Sequence, residues 1–217
     1  MNRIVLTVGS LLTCLILTIS SLSVITNESS DSSIEMGKIE GKSFVAANDY
    51  WMPPDALGGT NDVASPTSAI DSDGNLHVTY YDTTNWELMY MAFNGSWSTP
   101  VTLDSSYCGF ESSLAIDSND NLHVTYYDDS NDNLEYITFN GSSWSTPLTL
   151  DSTGDVGRYS SLAIDSNDNL HVTYYDDTNG NLEYVTFNGS SWSTPSTLDS
   201  TGDVGKYSSL AINSNDN

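Results

Sequence analysis

The chain has 217 residues, of which 38% are hydrophobic, and it carries 29 acidic against 5 basic side chains, for a formal net charge of −24. This balance excludes nucleic-acid binding, which needs clustered Lys and Arg, and it disfavours docking on an anionic membrane surface. It suits solubility, a saline environment or cation binding.

Residues 1–26 predict an export signal. Arg3 precedes an uncharged apolar run at residues 4–25, and the small residues at 21–23 suit cleavage. The run is also long enough to span a bilayer, so an uncleaved N-terminal anchor is the alternative. We expect a secreted or cell-surface protein that meets the membrane only through this segment, if it stays uncleaved. The polar residues 27–48 predict a linker.

A tandem repeat fills the rest of the chain, residues 49–217. Residues 113–160 and 161–208 differ at only five of 48 positions. Ile70, Ile116, Ile164 and Ile212 mark the same site in four successive copies. We divide the copies into unit 1 (63–104), unit 2 (109–151), unit 3 (157–199) and the start of a fourth unit (205–217).

Each unit contains four β-rich runs separated by turn residues, and no segment has a helical period. In unit 2 the runs are SSLAI (112–116), LHVTYY (122–127), LEYITF (134–139) and WSTPLTL (144–150). Asn140-Gly141 predicts a tight hairpin turn between the third and fourth strands, with positive φ at both residues. The FNGSSW stretch recurs because every unit needs this hairpin.

Four strands in about 48 residues, repeated in tandem, predict an all-β fold of four-stranded antiparallel β-propeller blades. The phrases SLAIDSNDNLHVTYYD and NGSSWSTP resemble the tandem propeller-type repeats of secreted bacterial and archaeal surface proteins, over about residues 51–217. They are also distantly similar to the Asp-box repeats of sialidase-like propellers, although DSDGNLHV departs from the Ser-x-Asp-x-Gly-x-x-Trp spacing. The resemblance implies a propeller with a binding or surface role and no assigned chemistry.

The predicted propeller is incomplete. Residues 50–63 match the fourth-strand region 143–156, which predicts an orphan fourth strand before unit 1. Three blades, this strand and the start of a fourth blade cannot close a ring, because propellers typically need at least four blades. We expect a fragment of a longer protein, with closure between chains as the alternative.

In an antiparallel blade, the turns after strands one and three lie on one face, which we call the first face. The turn after strand two and the connection to the next unit lie on the other, the second face. Aromatic rings, carboxylates and single cations meet there, as in sites that hold sugars. The candidate ligand-binding residues are Tyr81, Asp82, Trp86, Tyr127, Asp128, Arg158, Tyr159, Tyr175, Asp176, Lys206 and Tyr207.

The alternative for these residues is structural: one Tyr of each Tyr-Tyr-Asp set packs between blades, and the Asp residues close turns. Unit 1 departs from the repeat, with Trp86 in its turn and Tyr107-Cys108-Gly109-Phe110 after its last strand. This departure indicates either a distinct site or drift.

Three further sets of residues can be interpreted either as structural or as metal-binding or modified residues. His77, His123 and His171 recur in strand two, where we expect hydrogen bonds within the blade, with a first-strand Ser such as Ser113 as partner; a metal ring is the alternative. Asp71, Asp73, Asp117 and Asp165 occupy turns with calcium-loop spacing but lack the required Gly and Glu, so tight turns are expected. Asn27, Asn94, Asn140 and Asn188 match the Asn-x-Ser pattern and are candidates for N-glycosylation, with the hairpin turn as the alternative reason for the Asn-Gly-Ser copies.

These observations predict an exported, non-catalytic binding or display module without a cofactor, multivalent through its repeats, with carbohydrate as the preferred ligand. A cell-surface protein is the other candidate partner. The alternatives are a fragment of a sialidase-like hydrolase or lyase whose catalytic residues lie in further blades, and a structural adhesion protein. Enzymatic activity is left open but disfavoured, because near-identical units offer no carboxylate of distinct environment.

Overall fold

A computed structural model describes residues 63–105 and 107–213. The predicted signal or anchor, linker and orphan strand fall outside the described residues. The described strands are β1 Val63–Ile70, β2 Leu76–Asp82, β3 Glu87–Phe93, β4 Val101–Asp104, β5 Cys108–Ile116, β6 Leu122–Asp128, β7 Asn133–Phe139, β8 Leu148–Asp151, β9 Val156–Ile164, β10 Leu170–Asp176, β11 Asn181–Phe187 and β12 Ser196–Asp199. No helix in these ranges is long and apolar enough to cross a membrane.

The twelve strands form three separate four-stranded antiparallel sheets, one for each unit, and each sheet follows chain order from its first to its fourth strand. The β-branched and aromatic residues of the repeat occupy these strands, and the Asn, Asp and Gly residues occupy the turns. The same register recurs in every sheet, as in the pairing of Leu122 with Phe139 and of Asp128 with Asn133.

Successive sheets contact each other through their first strands, β1 with β5 and β5 with β9. The hydrophobic core lies between the sheets: one cluster joins Leu88 of unit 1 to Cys108, Leu122 and Tyr126 of unit 2. The arrangement repeats between units 2 and 3, where Tyr136 packs edge-on against Trp192. The predicted fold class, an incomplete all-β propeller, is therefore confirmed.

Hydrogen bonds also join the sheets. The buried hydroxyl of Tyr126 donates to Asp104 at 2.8 Å, and that of Tyr174 donates to Asp151 at 2.7 Å. Burial, followed by the adjacent carboxylate, raises the pKa of both tyrosines. Tyr80, at the same position in unit 1, has a buried hydroxyl without a hydrogen-bond partner in the described part of the chain.

A second type of link lies on the first face. The backbone N–H and hydroxyl of Ser72 donate to the two carboxylate oxygens of Asp120, at 2.8 and 2.6 Å. Ser118 binds Asp168 of unit 3 in the same way. Each bidentate clamp fixes the first turn of one sheet against that of the next.

The hairpin between strands three and four differs from the prediction. Phe139 bridges Trp144, so the loop has four residues, and only Gly141 in it has positive φ (83°). Asn140 closes the loop differently, because its side-chain oxygen accepts hydrogen bonds from the backbone N–H groups of Ser142 and Ser143. The fourth strand is also shorter than predicted: it begins at Leu148, after Pro147, which has no N–H for a ladder.

The predicted first strand of a fourth unit is not formed at residues 205–213. The segment nevertheless packs against unit 3, where the N–H of Leu210 donates to Ser161 at 2.9 Å and Ser208 contacts Thr173 at 3.0 Å. A first strand needs a second strand beside it, and no described strand pairs with this segment.

The backbone of Gly157 in unit 3 packs closely against the backbone of Leu134 in unit 2. A Cβ added there would lie 2.6 Å from the Cα of Leu134, and the residue has φ of +106°. We expect Gly157→Ala to lower the free energy of unfolding by about 2–4 kcal/mol, because it adds both backbone strain and overpacking. Urea denaturation measures this loss.

Gly141→Ala is the matched control, since Gly141 also has positive φ (+83°) but would place its Cβ in open space. It should cost only about 1 kcal/mol. Equal losses in the two variants would show that the contact with Leu134 does not matter.

Candidate functional site

The aspartates of the Tyr-Tyr-Asp sets are used inside turns. Asp82, Asp128 and Asp176 are each at most 5% exposed. Asp128 accepts the N–H of Ser130 at 2.9 Å and the side-chain amide of Asn131 at 2.7 Å. These three predicted ligand-binding residues therefore present almost no surface to a ligand.

The second tyrosine of each set is covered by one residue of the following connection. Phe110 packs edge-on against Tyr81 with ring centroids 5.8 Å apart. At the same repeat position, the guanidinium of Arg158 lies 4.3 Å from the ring centre of Tyr127, and the ammonium of Lys206 lies 4.9 Å from that of Tyr175. The structure thus brings four of the predicted residues together in pairs, with both rings of the cation-capped tyrosines buried.

Both capping cations are paired with carboxylates. Arg158 donates to Asp155 at 3.2 Å and to the Tyr127 hydroxyl at 2.9 Å. Lys206 donates to Asp203 at 2.7 Å. The pKa of Lys206 is raised chiefly by this bond, and the pKa of Asp203 is lowered by it.

In unit 1, exposed aromatic rings occupy the repeat positions at which unit 2 has carboxylates beside its tyrosine. Where unit 2 has Asp132 and Asp155, both bonded to the Tyr127 hydroxyl, unit 1 has Trp86 and Tyr107. Their rings are stacked, with centroids 4.6 Å apart and an interplanar angle of 23°. They are 44% and 52% exposed, and we call this pair the aromatic platform.

The prediction from sequence included Trp86 but not Tyr107 among the ligand-binding residues. The signal for Tyr107 was available as the departure of residues 107–110 from the repeat. Asp129 lies beside the platform: its N–H donates to the carbonyl of Tyr107 at 3.1 Å, and its side chain is 64% exposed.

The remaining predicted residues, Tyr159 and Tyr207, face a cleft of about 410 Å³ between the first strands. Their ring centroids are 4.2 Å apart. The pKa of Tyr159 is raised to about 12, chiefly by a hydrogen bond to the Tyr207 side chain. Glu111, which occupies the same repeat position, also lines this axial cleft and was not predicted. The full lining is Ser65, Pro66, Glu111, Ser112, Tyr159, Ser160, Tyr207 and Ser208.

The repeated histidines lie within their blades, but the predicted serine partner is wrong. His123 contacts the hydroxyl of Tyr136 at 2.6 Å through Nδ1 and Asp117 at 3.3 Å through Nε2. Ser113 instead accepts the N–H of Leu162 in the next sheet. His77 and His171 repeat the pattern, with Tyr90 and Asp71, and with Tyr184 and Asp165.

Three of the four calcium candidates, Asp71, Asp117 and Asp165, are turn residues whose carboxylate oxygens accept hydrogen bonds within the turn. Asp71 accepts the N–H groups of Asp73 and Asn75 at 3.1 and 2.7 Å, and its second oxygen accepts the Asn75 side-chain amide. Asp117 and Asp165 repeat this pattern. No cluster of three or more His, Cys, Asp or Glu suited to a metal occurs in the described ranges, and the calcium alternative stays a prediction.

The glycosylation candidates Asn94, Asn140 and Asn188 are exposed in the hairpin loops of the first face. Their modification stays a prediction, and Asn27 lies outside the described residues.

Comparisons with known proteins identify similar folds. No model of a known protein family matches the sequence, and no curated protein matches it. Among solved structures, the chain is similar to a mutant of AofleA from Arthrobotrys oligospora, at 18% identity over 66% of this chain and 47% of that chain, with a TM-score of 0.48.

Two further structures resemble it. A fungal lectin from Aleuria aurantia, a six-bladed β-propeller with a novel fucose recognition mode, has 16% identity over 62% of this chain and 45% of that one, with a TM-score of 0.46. An exo-β-1,3-galactanase from Phanerochaete chrysosporium has 8% identity over 64% of this chain and 36% of that one, with a TM-score of 0.46. The matched region thus spans less than half of each of these chains.

The hydrogen bonds that the Asp165 carboxylate accepts in its turn lead to a prediction about stability at acid pH. Burial opposes ionisation of Asp165, but hydrogen bonds from Asn169, Asn167 and His171 outweigh it and lower its pKa from 3.8 to about 2. The resulting stabilisation is complete above pH 3.8 and is lost as the pH falls towards 2. The wild type should therefore exceed Asp165→Asn in free energy of unfolding at pH 7, and the gap should shrink between pH 4 and pH 2.

Urea denaturation at pH 7, 4 and 2.5 measures this gap. The exposed Asp73 provides the control, because Asp73→Asn removes a carboxylate of unit 1 and leaves the hydrogen bonds to Asp165 in unit 3 unchanged. A gap that does not change with pH would contradict the prediction.

Proposed function

We propose that this protein is a non-catalytic carbohydrate-binding module, with the aromatic platform of Trp86 and Tyr107 as its sugar-contacting surface. The observation that carries the proposal is the stacked, half-exposed pair of rings. Contiguous exposed aromatic surface often marks an interaction site, and the flat apolar face of a ring matches the C–H face of a pyranose.

Polar groups for sugar hydroxyls lie next to the platform. The exposed carboxylate of Asp129 accepts hydrogen bonds, and the guanidinium of Arg158 lies 3.8 Å from one of its oxygens. Binding pockets typically combine ring surface with a few placed polar groups of this kind. Ring, carboxylate and guanidinium thus supply both stacking and orientation for a saccharide.

The proposed site belongs to unit 1 alone among the described units. The two platform positions carry Asp132 and Asp155 in unit 2, and Gly180 and Asp203 in unit 3. Multivalent binding therefore requires further units or several copies of the chain.

The likeness to the propeller structures is one of fold, so the proposed ligand class rests on the platform. The lectin from Aleuria aurantia recognises fucose, which makes fucosides sensible members of a test panel. We further infer export to the cell exterior from the N-terminal residues 1–26, with membrane attachment only if they remain uncleaved.

A substitution taken from the repeat itself tests the platform. Trp86 and Asp132 share a repeat position and have the same φ of 59°, a conformation that Asp tolerates better than Trp. Trp86→Asp should therefore fold normally, while losing saccharide affinity by about tenfold or more. The measurement is binding of the full chain to an immobilised glycan panel that includes fucosylated and galactosylated oligosaccharides.

Leu198→Ala is the control, because it removes an exposed apolar side chain of unit 3, 54% exposed, away from the platform. It should leave glycan binding unchanged. Absence of saturable binding by the wild type, or full binding by Trp86→Asp, would overturn the proposal; the first outcome would favour the structural adhesion role.

A further inference from the structure

Each first strand places one bulge at the propeller axis. The ladder between β9 and β10 is interrupted between Arg158 and Ser161, which sets Tyr159 and Ser160 out of register. The interruptions in units 1 and 2 fall at Ser65-Pro66 and Glu111-Ser112. These bulge residues, together with Tyr207 and Ser208, are the lining of the axial cleft.

The leading residue of every bulge has a strained backbone. The φ values are 48° at Ser65, 59° at Glu111 and 54° at Tyr159. Tyr207, at the same repeat position in the segment that forms no strand, has a φ of 57°. Non-glycine residues in this region are uncommon, and they cluster at ligand-binding sites, where surrounding structure holds them in place. The positive φ repeats at all four positions, whereas the side chain is serine, glutamate, tyrosine and tyrosine in turn.

Glu111 is the one carboxylate at the bulge position of the described units. Its Oε2 accepts the backbone N–H of Tyr159 at 2.8 Å. No hydrogen bond from residues 63–105 or 107–213 reaches its Oε1. Partial burial raises the pKa of Glu111, against the opposing effects of the Tyr159 N–H and of Arg158. The cleft therefore contains a partly desolvated carboxylate with an unused acceptor.

Two tyrosine rings stand beside this carboxylate. The rings of Tyr159 and Tyr207 are 4.2 Å apart at an interplanar angle of 46°, so they form an angled wall. Tyr207 is 77% exposed and leaves most of its ring available. An angled pair of electron-rich ring faces attracts a cation rather than an anion.

The basic side chains nearest the cleft do not neutralise Glu111. Arg158 is bound to Asp155 at 3.2 Å and lies 3.8 Å from Asp129, so two carboxylates already face its guanidinium. Lys206 is bound to Asp203 at 2.7 Å. The charges around the cleft therefore sum to a negative value, as does the formal charge of the whole chain.

We propose that the axial cleft binds a small organic ammonium ion, held between the carboxylate of Glu111 and the rings of Tyr159 and Tyr207. An ammonium ion suits both the carboxylate and the two rings, because its positive charge pairs with a carboxylate and is attracted to ring faces. A metal ion fits poorly, since calcium takes six to eight oxygen ligands and the cleft offers one carboxylate with serine hydroxyls. This site shares no residue with the aromatic platform, so the two proposals stand independently.

Choline and its neutral carbon isostere, 3,3-dimethyl-1-butanol, test the proposal by isothermal titration calorimetry on the full chain. The two probes have the same shape and differ in charge. Choline should bind saturably and about tenfold or more tighter than the isostere. No saturable choline binding, or equal affinity for the two probes, would overturn the proposal.

Variants separate the two parts of the site. Glu111→Gln should reduce choline affinity about tenfold, because it keeps the shape and removes the charge. Tyr207→Leu should reduce it to a similar extent, whereas Tyr207→Phe keeps the ring and should stay within about twofold.

Asp73→Asn is the control for net charge, because Asp73 is an exposed carboxylate on the first face. Melting temperatures of all variants check that they fold. If Asp73→Asn lowered choline affinity as much as Glu111→Gln, binding would depend on overall charge and the assignment to the cleft would be wrong.

Discussion

The close contact between a repeated glycine, found in β5, in β9 and in the segment after β12, and the third strand of the preceding sheet sets the spacing of successive sheets. Gly109, Gly157 and Gly205 leave no room for a Cβ against Leu88, Leu134 and Leu182. Because the backbones meet here, the residue after each glycine covers a tyrosine of the preceding unit. The next residue then enters the bulge at the axis. One steric requirement thus positions both the second-face contacts and the cleft lining.

The fold could be predicted from the sequence because its signals are local and repeated. Alternation of β-rich runs with turn residues gave the four strands of each unit, and the near-identity of units implied equivalent sheets. The hairpin at Asn140 was predicted less well, since an Asn-Gly pair is compatible with several loop lengths. Its actual form depends on hydrogen bonds from Ser142 and Ser143 to the Asn140 side chain. The segment at residues 205–213 shows the same limit, because a strand depends on its neighbour as well as on its own residues.

The site was harder to predict because burial depends on packing between units. Tyr127 and Asp128 look like surface residues at the end of a strand, yet the next unit covers the first and a turn encloses the second. The two proposed sites depend instead on residues that break the repeat, because Trp86, Tyr107 and Glu111 all stand where neighbouring units carry another residue. Residues that are identical in every unit are those that the fold requires. Positions where the units differ can therefore serve a role other than folding.

The buried hydroxyl of Tyr80, which has no hydrogen-bond partner among the described residues, affects how cooperatively the sheets unfold. Sheets of this kind contact only their neighbours, so their stability resembles a sum over nearest-neighbour interfaces, as in other repeat proteins. Unit 2 has a Tyr–Asp bond and a Ser–Asp clamp to both of its neighbours, whereas Tyr80 in unit 1 lacks the first of these within the described residues. Among the described links, those of unit 2 are the more complete, so local opening that starts beside Tyr80 should disturb the proposed aromatic platform before it reaches unit 2. The proposed binding surface would then adjust to a saccharide while the links between units 2 and 3 stay intact.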